Sequence, residues 1–281
     1  MSTLVPPLFA GLVDDASLLP PGIVGFREVL EAHAKHRDSW YEPLVGALLV
    51  PSSLVDLDLS PRGLAVGVVN DAAISALPAV VAKLRAAGAV VGQVEAAVAR
   101  RGEDPQPGLA ALRELAADQT DLDVYAEIPL SWGLLAGLDT VAGLRADGLR
   151  IAPKFRVGGL AAELFPTPVE LAAVICACRD RDLPFKLAAG IRHALRHTDP
   201  ETGFTHHGFL NVLVGSAVAA EGGEVAEVAE ALGATHPVPL VEPVRSRRDQ
   251  PRPLWVGFGA GNVLEPLTEL IRLGLINGGY E

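Results

Sequence analysis

Short apolar, β-rich runs alternate along the chain with segments whose apolar residues repeat at helical spacing. The runs predict strands near Leu8–Asp14, Leu44–Val50, Leu64–Val69, Val90–Val94, Val124–Ile128, Leu149–Phe155, Phe185–Ala188 and Leu254–Phe258. Helices are predicted between them, among them Pro78–Ala87, which ends at Gly88, and Pro168–Arg181. Thr167, Pro168 and Glu170 supply a start signal for the second, with proline at its first position. Eight strands alternating with helices predict an α/β fold, a (β/α)8 TIM barrel of parallel strands forming a single domain over residues 1–281. A doubly wound open sheet is the alternative, but no Gly-x-Gly-x-x-Gly element follows the first strand to support a dinucleotide fold. Phe209–Val218 reads equally as strand or buried helix, and Pro237–Pro253, rich in proline and arginine, reads as a long loop.

Composition narrows the function. The net charge of −11 argues against a nucleic-acid binder, because a phosphate backbone demands a basic face. The mean hydropathy of +0.32 raises the question of a membrane. The longest apolar stretches, such as Gly208–Ala220, are too short and too broken by glycine and polar groups to span one. The first residues lack the basic region of a secretion signal, so the expectation is a soluble, cytoplasmic protein. Cys176 and Cys178, two apart in a helical segment, read as buried small hydrophobes in a reducing compartment. The apolar, aromatic-poor composition is compatible with a homo-oligomer.

Candidate chemistry gathers where the predicted strands end. Of the four lysines, Lys154 and Lys186 lie in apolar strand contexts, Ile-Ala-Pro-Lys154-Phe-Arg and Pro-Phe-Lys186-Leu-Ala. An ammonium is costly to bury, and a desolvated lysine beside a second cation has a lowered pKa that makes it nucleophilic toward carbonyls. The other strand ends supply Asp14 and Asp15, Asn70 and Asp71, Gln93 and Glu95 on one face, Glu127, and Arg156 on the face of Lys154. Gly257-Phe-Gly259-Ala-Gly261-Asn262 leads into a helix and, with Gly190 and Arg192, forms a candidate anion cradle. His193, His197, His206 and His207 cluster after the seventh strand, as a substrate-covering loop or a metal site. Between His193 and His197 lie Ala194, Leu195 and Arg196, with no glutamate of the HExxH kind and with a cation that disfavours a metal.

Two of these segments resemble the paired lysine strands of class I aldolases of the deoxyribose-phosphate aldolase type. Lys186-Leu-Ala-Ala-Gly190-Ile-Arg192 is similar to the second lysine strand and its turn, and Lys154-Phe-Arg-Val-Gly-Gly159 to the Schiff-base strand. Leu12-Val-Asp-Asp15-Ala-Ser-Leu-Leu-Pro20 and Tyr125-Ala-Glu127-Ile resemble the first strand and the acidic position of the fifth. The Ser/Thr residues that follow the family's Schiff-base lysine are here Phe155, Arg156 and Val157, and strand four offers Gln93 and Glu95 in place of an aspartate. The resemblance implies a carbon–carbon lyase that needs neither metal nor cofactor. Lys154 would form the imine, Lys186 would depress its pKa, and Glu127 or Asp15 would move protons. Gly190, Arg192 and Gly259 would hold a phosphate. Asp14, Asp71, Glu95, Arg156, His193, Gly261 and Asn262 complete the expected surroundings of a small anionic carbonyl substrate, with Arg156 suited to a carboxylate. A sugar-phosphate isomerase or epimerase working through the carboxylates, and a non-catalytic ligand-binding barrel, are the competing readings. Plainer roles stand beside each residue: structural ion pairs of the lysines with Glu127 or Glu95, a turn cap at Asp14-Asp15, and a helix cap at Gly257–Asn262.

Overall fold

The structure, a computed structural model, describes residues 5–20, 25–55, 61 and 63–278. Met1–Leu4, read above for a secretion signal, lie outside the described residues. Eight strands close a barrel: β1 (Val13–Asp15), β2 (Val45–Pro51), β3 (Ala65–Asn70), β4 (Val90–Ala97), β5 (Asp123–Glu127), β6 (Ile151–Arg156), β7 (Phe185–Ala188) and β10 (Trp255–Ala260). All are parallel and follow chain order round the barrel. A two-stranded antiparallel ribbon, β8 (His197–Thr198) and β9 (Thr205–His206), rises from the loop after β7. The described helices are α1 (Phe26–Arg37), α2 (Leu77–Ala86), α3 (Gln106–Asp118), α4 (Leu134–Ala146), α5 (Pro168–Arg179), α6 (Phe209–Ala220), α7 (Val225–Gly233), α8 (Val238–Arg247) and α9 (Leu264–Arg272). This is the (β/α)8 barrel that the alternating pattern predicts, in a single domain.

The local signals act as expected at α5. Thr167 Oγ1 accepts the Glu170 amide and Glu170 Oε2 accepts the Thr167 amide at 2.7 Å, a reciprocal cap. Cys176 and Cys178 are buried in this helix with free thiols. Phe209–Val218 resolves as helix, buried nearly all round because α5, α7, α8 and β10 enclose it. Its one buried amide side chain, Asn211, donates to the carbonyls of Ala231 and Ala234 and accepts the Arg196 amide at 2.8 Å.

Two expectations need correction. Residues 237–253 are no long loop: α8 occupies most of the segment and carries Pro243 inside it, with Leu240, Val241 and Val244 buried. The strand expected from Leu8 begins only at Val13. Pro7–Phe9 instead forms a 3-10 turn that buries Leu8 and Phe9 at the N-terminal end of the barrel. Arg252 pins this floor, donating to the carbonyls of Leu8 (2.7 Å), Ala10 (3.1 Å), Trp255 (2.7 Å) and Val256. Burial brings its guanidinium down to about 10.

The apolar core lies between strands and helices, whereas the barrel interior is polar. Branched aliphatic layers commonly fill such an interior. Here it receives Asp14, Gln93, Glu95, Tyr125, Lys154 and Lys186, with Leu49 among the apolar contributions. Glycines make the space: a Cβ at Gly67 would sit 2.6 Å from two Gln93 side-chain atoms, and one at Gly46 would overlap Asp14 Oδ1.

Candidate active site in the barrel lumen

The two-residue period of the strands puts Gln93 with Glu95, Tyr125 with Glu127, and Lys154 with Arg156 on inward faces. Register then sets Glu127 beside Lys154, and Lys154 beside Lys186. Two ammoniums on adjacent strands would repel each other, and Glu95 separates them. Its Oε2 lies 2.8 Å from Lys154 Nζ and its Oε1 2.5 Å from Lys186 Nζ. Lys154 has a second carboxylate, Glu127 Oε2 at 2.7 Å, and Lys186 pairs with Asp14 Oδ2. Asp14 also accepts Gln93 Nε2 and the Ala47 amide, each at 2.9 Å. The Tyr125 ring lies under Lys186, 4.7 Å from its Nζ. Outward of Lys154, Arg156 Nε reaches the other oxygen of Glu127 at 3.1 Å.

The result is a line of alternating charge, Asp14–Lys186–Glu95–Lys154–Glu127–Arg156, drawn from β1, β4, β5, β6 and β7. It runs from the buried interior to the rim: Lys186 and Glu95 side chains are 2% exposed, Glu127 14% and Arg156 47%.

Electrostatics reverse one expectation. Burial alone pushes an amine toward neutrality, but Glu95 and Glu127 outweigh it and raise Lys154 above its ordinary value. Asp14 and Glu95 do the same for Lys186. Against its burial, Lys154 and Lys186 hold Glu95 down at about 2, and Lys154 and Arg156 hold Glu127 low. Burial lifts the Tyr125 phenol to about 12. Lys186 therefore does not depress Lys154 in this resting arrangement, because a carboxylate stands between the two amines. Both are ammoniums at neutral pH.

Of the residues read as a site, Lys154, Lys186, Glu127, Asp14, Glu95 and Arg156 come together. Asp15, expected in proton transfer, points the other way from Asp14, as strand alternation requires. Its carboxylate pairs with His33 Nδ1 of α1 at 2.9 Å and accepts Ser17 Oγ at 2.6 Å. His33 is fully buried and was not singled out from sequence; a lone histidine on an amphipathic helix carries no signal of its strand partner. Asp71 ties the turn after β2, accepting Ser52 Oγ at 2.6 Å and the Ser53 amide at 2.9 Å.

The expected anion cradle is already internally paired. Arg192 faces Glu265 Oε1 at 3.5 Å, His193 Nδ1 meets Glu269 Oε1 at 2.7 Å, and Asn262 Oδ1 accepts the Leu264 amide at 3.0 Å. Gly190 (φ 70°) follows Ala189 (φ 57°), and here the loops after β6 and β7 cross: a Cβ on Gly158 would lie 2.5 Å from Gly190 Cα. Gly259 pairs with Asp14 in the barrel and Gly261 stands clear on the rim.

His193 meets His197 edge-on, His197 stacks on His206, and His206 also meets the edge of Phe165, itself stacked on Phe204. His207 is separate and buried, bonded to the Pro166 carbonyl at 2.7 Å, and burial lowers it to about 4. Among the described residues no group of three or more His, Cys, Asp or Glu side chains is placed to hold a metal ion. Among them, too, no helix is long and apolar enough to cross a membrane.

A cavity of about 180 Å³ opens at the mouth beside β5 and β6, walled by Ala99, Arg101, Glu127, Leu130, Arg156 and Glu163 among others. Glu127 and Arg156 therefore belong both to the charged line and to the cavity. Arg101, which donates to the Glu163 carbonyl at 2.9 Å, escaped the sequence reading because it follows β4 in a loop. Comparison with known proteins identifies no relative: no family model, no curated protein and no solved structure matches this chain.

Proposed function

We propose that the protein is a cytoplasmic, metal-independent carbon–carbon lyase of the class I aldolase kind. In this reading Lys154 forms a Schiff base with a small carbonyl substrate bearing a carboxylate or phosphate. The observation that carries it is two lysines interleaved with three carboxylates inside a barrel, with Lys154 one ion pair from an open cavity. Charged pairs of this kind in a barrel interior contribute little net stability over apolar packing, so a chemical use is the better account of them. The likeness of the Lys154 and Lys186 strands to deoxyribose-phosphate aldolases supports the same assignment.

Lys154 is the nucleophile because it is nearer the mouth, and Glu127 or Glu95 takes its proton. Lys186 keeps Glu95 ionised and adds positive charge where an enolate or alkoxide develops. The test is borohydride trapping with a panel of small aldehydes, ketones and their phosphates, read by intact mass and peptide mapping. A reduced adduct on Lys154, absent in Lys154→Met, is the expected result. Failure of every carbonyl to leave an adduct overturns it.

One observation favours a second reading. Both amines are ammoniums at rest, which suits a sugar-phosphate isomerase or epimerase whose lysines stabilise an enolate while a carboxylate moves the proton. Such an enzyme turns over without an adduct, whereas a non-catalytic barrel binds ligand without turnover.

A further inference from the structure

We propose that the cavity beside β5 and β6 binds the carboxylate of a short 2-oxo acid on Arg156, and that this contact frees Glu127 to take the proton from Lys154. The inference rests on the imine reading and names its substrate class and its trigger.

Arg156 meets Glu127 through Nε, and its two terminal nitrogens make no hydrogen bond among the described residues. A guanidinium with a free pair of N–H groups on the wall of an open cavity is a bidentate seat for a carboxylate. Arg101 adds a second positive charge to the same wall, offsetting the Glu163 carboxylate that also lines it. The part of the mouth formed by the loops after β7 and β10 is less suited to an anion. A phosphate there would face Glu265 and Glu269, which already pair with Arg192 and His193.

Glu127 couples this seat to the chemistry. One of its oxygens holds Arg156 and the other holds Lys154 at 2.7 Å, and these two cations keep it ionised. An incoming carboxylate that draws off Arg156 removes one of the two. The proton affinity of Glu127 then rises, and it accepts the proton of the Lys154 ammonium directly across their ion pair. The neutral amine adds to the substrate carbonyl to give a carbinolamine. Protonated Glu127 returns its proton to the departing hydroxyl, which leaves as water. The iminium charge that remains on Lys154 is balanced by Glu95 at 2.8 Å and by the regenerated Glu127 carboxylate. A neutral carbonyl compound leaves Arg156 on Glu127, so the amine gives up its proton less readily and the adduct forms more slowly.

The experiment compares borohydride reduction of the Lys154 adduct with pyruvate and with methyl pyruvate, in the full chain and in its Arg156→Gln and Arg192→Gln variants. The ester is the stronger electrophile, so intrinsic reactivity favours it. Wild type is expected to reverse that order and trap pyruvate faster by about tenfold or more, the equivalent of one good charge-assisted contact. In Arg156→Gln the preference for pyruvate disappears while the ester adduct persists, which also shows that the variant is folded. Wild-type preference retained in Arg156→Gln, or lost in Arg192→Gln instead, overturns the carboxylate seat and leaves the imine reading standing. Absence of any adduct with either compound overturns the imine reading and this inference together.

Discussion

Replacing Glu95 by glutamine removes the one carboxylate that both lysines share. In the folded protein the two ammoniums hold Glu95 at about 2, against an ordinary value of 4.5. Each tenfold in proton affinity is about 1.4 kcal/mol, so the ionised carboxylate favours the folded state by about 3 kcal/mol at neutral pH. That agrees with the roughly 3–5 kcal/mol lost when one partner of a buried ion pair is removed. The sign follows from the lowered folded value. The contribution is fully present above the unfolded pKa, and it drains away as pH falls toward the folded one. The difference in unfolding free energy between wild type and Glu95→Gln should be about 3 kcal/mol at pH 7 and about 1 kcal/mol at pH 3, because glutamine does not titrate. Glu127, also held low, titrates in both proteins and largely cancels. Urea unfolding at a series of pH values reads this directly. A difference that stays constant across the range, or falls below about 1 kcal/mol at pH 7, refutes the assignment of Glu95 as an ionised, shared counter-charge.

Other substitutions probe the remaining parts. Lys154→Met should abolish carbonyl trapping while the circular dichroism of the barrel persists; an adduct that moves to Lys186 would exchange the two roles. Asp15→Asn should cost about 1–3 kcal/mol through its buried bond to His33 and leave the Lys154 adduct intact, and loss of trapping in a folded variant would return Asp15 to the chemistry. Wild type should also lose the Asp15 contribution as pH falls through the lowered folded pKa of that carboxyl, visible as a pH-dependent gap to Asp15→Asn. Gly67→Ala forces a Cβ onto Gln93 and Leu49 and should lower stability by about 1–3 kcal/mol, as measured by thermal unfolding.

The strands were legible because parallel barrel strands are apolar on their outer face and bounded by turns. Seven of the eight fall within about two to three residues of the pattern-based bounds. The first was misjudged in extent. Leu8 and Phe9 are as apolar as strand residues, but they plug the floor in a 3-10 turn, and no local signal separates those fates. At α8 the prolines suggested a loop, whereas Pro243 is accommodated within the helix and three apolar residues dock it. The shared face of Gln93 with Glu95, and of Lys154 with Arg156, followed from period two alone. The choice between Asp14 and Asp15 did not, because adjacent residues leave the inward one undetermined until the closing partners are known. The resting charge of Lys154 was illegible for a similar reason. It depends on Glu95 standing between the amines, which is a matter of three-dimensional placement.

Inside the barrel the first four strands contribute acid and amide, Asp14, Gln93 and Glu95, whereas both amines come from β6 and β7. Neither half is electrically complete. A chain divided between α3 and β5 would yield one piece with buried anions and another with an excess of buried cations, each lacking the counter-charge that tolerates desolvation. Closure of the barrel and neutralisation of its interior are therefore one event. Mixed halves of this chain should recombine far more readily than either folds alone.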